Sequence, residues 1–152
     1  MVTVVSAGQG YTIRQAAVLT GLPASTLRYY ESVGVISPVS RGETSNHRVY
    51  TDEDLTRIVG VACLAATGMS IGQMRRYVGN GDRGASGADE QITLLKQRLE
   101  SLGEEAAMIR IRQEYIKTKI AYWQAVSIGD TTEAEALAVQ ARGLAGHLTP
   151  AK

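Results

Sequence analysis

A mainly α chain, with a winged helix-turn-helix head followed by a long dimerising coiled-coil helix, is predicted by three observations. Two short helical segments meet at Gly21. A loop rich in Gly, Ser, Thr and Asn follows, between the β-prone pairs Val35-Ile36 and Val49-Tyr50. Ten positions from Ile92 to Trp123 then recur in alternating steps of three and four.

Each element has its own local signals. Residues 1–10 read as a flexible leader. Thr12 is placed to cap a first helix, with Ile13, Ala16 and Ala17 at helical spacing and Gly21 as the stop. Pro23 suits the first turn of a second helix, Ser25 through Ser32, which Gly34 ends. Helix, short glycine-containing turn and helix together make a helix-turn-helix pattern, although the same pattern fits an ordinary helical hairpin. "PVSRGETSNHRVY" supplies the wing. Thr51 and Asp54 form a capping pair at the head of a third helix with an acidic first turn. In that helix Leu55, Ile58, Val59, Ala62, Cys63 and Ala66 follow i, i+3, i+4, i+7, i+8, i+11, a stripe expected to be buried. Ser70 caps a fourth helix with Ile71, Met74 and Val78 inward, completing a head over residues 11–80. "GDRGASGAD", residues 81–89, reads as a hinge.

Beyond the hinge, Ile92, Leu95, Leu99, Leu102, Ala106, Ile109, Gln113, Ile116, Ile120 and Trp123 form a heptad seam on a helix over residues 90–126. So long a single seam cannot be covered by so small a head. It calls for a second copy of the chain, hence a homodimer. Residues 127–152 form a C-terminal tail with room for a short helix, with Thr131 or Thr132 as its cap.

Composition narrows the function. With 44% hydrophobic and 20% charged residues, the 152-residue chain has the balance of a soluble globular protein. No apolar run approaches the ~20 residues of a membrane span, and the N-terminus lacks the basic and apolar regions of a signal peptide. A single cysteine, Cys63, allows no internal disulfide, so a cytoplasmic location is expected. Phosphate-loop, dinucleotide, nucleophile-elbow and metalloprotease motifs are all missing, and His47 and His147 have no partnered constellation. An enzyme is therefore not expected. One thiol cannot supply the usual cysteine ligands of a metal, so neither metal nor cofactor is predicted.

Nucleic acid fits better. Residues 1–50 hold Arg14, Arg28, Arg41 and Arg48 against only Glu31 and Glu43, and the first lysine is Lys96. Arginine offers phosphate a planar fork that lysine lacks. The second helix of a helix-turn-helix enters the major groove, which brings Ser25 and Thr26 in its first turn and Arg28 and Tyr29 near its end toward DNA. The wing adds Arg41, His47 and Arg48, and Thr12 and Arg14 open the first helix. A protein-interaction module without DNA binding, built on the coiled coil, is the alternative.

The ordered motifs in "TLRYYE", "HRVYTDEDL" and "GMSIGQM", followed by the seam, resemble the MerR family of bacterial transcription regulators over about residues 11–125. The resemblance implies a homodimer with an antiparallel coil, bound to a pseudo-palindromic site in double-stranded promoter DNA. It implies that the protein bends and untwists this DNA for bacterial RNA polymerase. It also implies that Arg28, Tyr29, Arg41, Arg48 and Tyr50 contact DNA, unless Tyr50 anchors the wing. Cys63 resembles the cysteine of short-tailed, electrophile-responsive members, which makes it a possible effector site; packing is the competing role. Metal-sensing members carry cysteines around the coil, which this chain lacks.

Overall fold

The structure, a computed structural model, describes residues 10–149. The leader, except Gly10, and residues 150–152 of the tail lie outside the described residues. The chain divides into two compact units, residues 1–98 and 99–152.

The first unit opens with helices α1 (Ile13–Thr20) and α2 (Ala24–Ser32). A two-stranded antiparallel sheet of β1 (Ser40–Arg41) and β2 (Arg48–Val49) follows, then α3 (Asp52–Ala66) and α4 (Ile71–Asp82). Three of these helices start with reciprocal caps. The Thr12, Thr51 and Ser70 hydroxyls accept from the amides of Gln15, Asp54 and Gln73. Those three side chains accept in return from the cap amides at 2.8, 2.9 and 2.9 Å. Each such cap stabilises its helix by ~1 kcal/mol. Pro23 stands one place earlier than expected: it is the N-cap of α2, without a side-chain bond. The turn after α2 requires Gly34, whose φ of +74° is unfavourable for a residue with a Cβ.

Val35 and Ile36 are not a strand, as their β-propensity suggested. Both are buried in the core with Ala16, Leu27, Tyr30, Val39, Tyr50, Ile58, Val61, Met69 and Met74. The wing strands begin at Ser40. Tyr11 extends the sheet by a bridge to Tyr50, with paired backbone bonds of 2.7 and 2.8 Å. The Tyr11 hydroxyl donates to Asp52 Oδ1 at 2.7 Å. That bond to Asp52, with smaller contributions from burial and the Asp52 charge, holds the Tyr11 phenol above its ordinary pKa.

The stripe on α3 is also corrected. Ile58 and Val61 are buried, with Leu55, Leu64 and Ala65 packed beside them, whereas Val59, Cys63 and Ala66 are exposed. From Ile58 to Ala66 the segment "IVGVACLAA" is apolar on every side, so the spacing fits two faces equally. Packing selects the face that carries Val61.

The predicted hinge is not a loose joint either. α4 runs on to Asp82, a 3-10 turn covers Gly84–Gly87, and α5 (Ala88–Ile128) starts at once. A Cβ on Gly87 would collide with the Asn80 backbone, so only glycine allows this close approach. Gln91 donates to the Tyr77 carbonyl at 2.8 Å, Arg98 Nε to the Thr67 carbonyl at 2.6 Å, and Leu94 is buried. The first turns of α5 therefore belong to the head.

In the second unit α5 continues to Ile128 and Gly129 turns the chain. Asp130, rather than Thr131 or Thr132, caps α6 (Thr131–Leu148) by accepting from the Glu133 amide at 3.0 Å. Along α5 the seam residues Ile92, Leu95, Leu99, Ile109, Ile116, Ile120 and Trp123 are exposed, and Leu102 is half-buried. No helix of the described residues is long and apolar enough to cross a membrane.

Candidate nucleic-acid interface

The end of α2 explains its unusual triplet. Arg28 and Tyr29 are exposed, Tyr29 by half, while Tyr30 is buried in the core. The two rings stand 6.3 Å apart and tilted by 42°. Successive helical residues point about 100° apart, so one tyrosine serves packing and the other stays at the surface beside the arginine. Ser25 is exposed and Thr26 half-buried in the first turn of α2. Arg14 is exposed on α1, and Thr12, though exposed, is committed to its cap.

Glu31 organises the other half of the site, and its role was not anticipated. One oxygen accepts from Arg48 Nη2 at 3.1 Å and Nε at 3.3 Å, and the other from the Val39 amide at 3.1 Å. Arg41 lies 3.9 Å away. Burial alone pushes the Glu31 carboxyl up. The Arg48 and Val39 hydrogen bonds, with the charges of Arg48 and Arg41, outweigh it and hold the group below its ordinary pKa. A lone acid between Arg28 and two wing arginines was the available signal: opposite charge flanking a loop predicts a tie across it.

Arg48 is therefore first a strut between wing and helix. Arg48→Ala is expected to destabilise the head by ~1.5–3 kcal/mol, the scale for losing a charged hydrogen bond. The dependence on acid follows from the lowered carboxyl. Its contribution is present above the ordinary value of 4.5 and is lost as the pH falls through the lower folded value. Urea midpoints should then separate wild type from Arg48→Ala at neutral pH and converge in acid. An equal gap at both would mean that Glu31 is not the partner that matters.

Tyr50 has no exposed surface, and its hydroxyl is buried without a protein partner. Burial raises its pKa, and its hydroxyl lies within the fields of Arg48, Glu31, Arg28 and Arg41. The arginine charges oppose that rise, and burial outweighs them. The side chain anchors the wing and does not reach the surface, which corrects its expected place among DNA contacts. At the wing tip Arg41 donates to the Asn46 carbonyl at 3.4 Å, and His47 is exposed.

Cys63 is exposed on α3, not buried as its stripe implied. A mild thiol reagent is expected to label it without denaturant. Mass spectrometry showing labelling only in denaturant would restore the buried reading. Among the described residues no three His, Cys, Asp or Glu side chains are grouped to hold a metal.

A sequence profile described as MerR HTH family regulatory protein matches residues 11–80. An uncharacterized HTH-type transcriptional regulator of Haemophilus influenzae is 30% identical over 114 residues, covering 75% of this chain and 84% of that protein. AdhR, an HTH-type transcriptional regulator of Bacillus subtilis, is 40% identical over 90 residues, or 57% of this chain and 64% of its own length. Among solved structures, HiNmlR, a MerR family regulator lacking the sensor domain and bound to promoter DNA, matches with a TM-score of 0.63 at 29% identity. That match covers 79% of this chain and 95% of HiNmlR.

Proposed function

The chain belongs to the MerR family of helix-turn-helix regulatory proteins, and from that premise we propose how this DNA-binding transcription regulator works. It acts as a homodimer, joined through an antiparallel coil along α5, on a pseudo-palindromic promoter site. It bends and untwists that site so that RNA polymerase can use it, and it does so in the cytoplasm. Deforming the duplex costs on the order of 1–10 kcal/mol, which contacts from two heads must offset.

The observation that carries this reading is the surface around the end of α2. Arg28 and Tyr29 face solvent there, while Glu31 ties the wing alongside. Arg14, Ser25, Thr26, Arg41 and His47 extend the set. Arginine and hydroxyl donors of this kind bind phosphate and set the register of the protein, and the first turn of α2 reads base edges. The exposed seam supports the dimer. The relatives are transcription regulators.

Affinity for the promoter duplex is expected to fall steeply as salt rises, because counterions return to phosphates released by the protein. Arg28→Ala should weaken binding by ~1.5–3 kcal/mol and reduce the logarithmic salt slope by about 1. Fluorescence anisotropy with labelled duplex at several salt concentrations measures both. A flat salt response would favour the coiled-coil interaction module instead.

A further inference from the structure

Between α5 and α6 lies a cavity of about 310 Å³, at the lower end of the ~300–1,000 Å³ of small-molecule sites. Tyr115, Tyr122 and Trp123 form its aromatic wall. The Tyr122 and Trp123 rings meet edge to face at 5.2 Å and 79°, a favourable arrangement for an aromatic pair. Across from them α6 presents alanines, Ala138 and Ala141 among them, whose short side chains leave the space open.

Two cations border this apolar space. Lys119 Nζ sits 5.2 Å from the centre of the Tyr122 ring, and Arg142 projects from α6. Among the described residues neither is in an ion pair. No acidic side chain lines the cavity. An aromatic wall calls for a flat or branched apolar body, and two cations without carboxylate partners call for an anion at its end.

We propose that this cavity binds a small organic anion with an apolar body, of the arylacetate or aryl carboxylate class, its carboxylate held by Lys119 and Arg142 and its ring against Tyr122 and Trp123. Arg142 offers the carboxylate a bidentate fork, and Lys119 a second charge from the opposite helix. Trp123 also belongs to the seam, so an occupant would touch the dimer surface. That regulatory consequence rests on the function proposed above, but ligand binding itself is measured without DNA, so each can fail alone.

Trp123 is the only tryptophan in the chain and reports directly on the site. Phenylacetate titrated into the full-length protein is expected to change its fluorescence saturably, with a dissociation constant below ~1 mM. Phenylacetamide, of the same shape but uncharged, should bind at least ~10-fold more weakly, as should phenylacetate to Arg142→Gln. Ala138→Leu, which fills the space, should abolish the response, with circular dichroism confirming that each variant remains helical. A response without saturation, equal binding of acid and amide, or undiminished binding by Arg142→Gln would overturn the proposal.

Discussion

Replacing Leu99 with glutamate is expected to leave the protein monomeric at micromolar concentration. Leu99 is 70% exposed on α5, so it contributes little packing within its own chain. The whole effect therefore falls on the contact between chains. A chain of equal seam steps, three and four in alternation, reads the same in both directions. Laid antiparallel on a second copy, as proposed above, such a seam would match end to end and set Leu99 against an apolar residue. Burying a leucine is worth ~1.5–3 kcal/mol, and the two-fold axis doubles the loss. Each new carboxylate would also face an apolar residue with no cation to pair, which adds several kcal/mol. The substitution should weaken the dimer by well over ~100-fold. Sedimentation equilibrium reads this directly, and circular dichroism should show that the helices survive. A variant still dimeric at micromolar concentration would mean that another surface joins the copies.

The second large effect is in the head. Tyr50→Ala is expected to cost ~3–5 kcal/mol, the scale for deleting a fully buried ring, which is a large part of the stability of a small domain. The loss should be greatest in the wing, because Tyr50 directly follows β2 and its ring fills the core. Tyr50→Phe separates packing from hydroxyl chemistry. The hydroxyl is buried without a protein partner, so its removal relieves a desolvated polar group and should leave stability unchanged or slightly raised. DNA affinity should follow stability in both variants. If Tyr50→Phe folded normally but bound DNA poorly, the hydroxyl would have to leave the core to meet phosphate, and the anchoring role would be wrong.

What could be read from the sequence was local. The caps at Thr12, Thr51 and Ser70 depend on side chains three residues away, and all three form. The heptad seam is likewise a property of spacing alone, and its residues do lie along one helix. The failures share a different cause. Val35 and Ile36 favour strands, but the nearby core needed apolar volume, so the wing began later. On α3 the apolar residues from Ile58 to Ala66 left the buried face undecided until α1 and α4 packed against it, which turned Cys63 outward. Glycines at 81–89 resembled a linker because glycine marks both freedom and close approach. The close approach of Gly87 to the Asn80 backbone, which spacing cannot show, separates the two. Glu31 was legible as a residue but not as an organiser, since its partners are eight and seventeen positions away.

The way α5 begins inside the head bears on how such proteins can be recombined. A head cut at residue 80 would lose Leu94 from its buried position and the side chains that satisfy the Thr67 and Tyr77 carbonyls. A head carried to Arg98 keeps all three. The transferable module is therefore about a quarter longer than the winged segment alone. Exchange of heads between regulators, by genetic crossover or by design, should preserve folding only where the junction falls beyond Arg98.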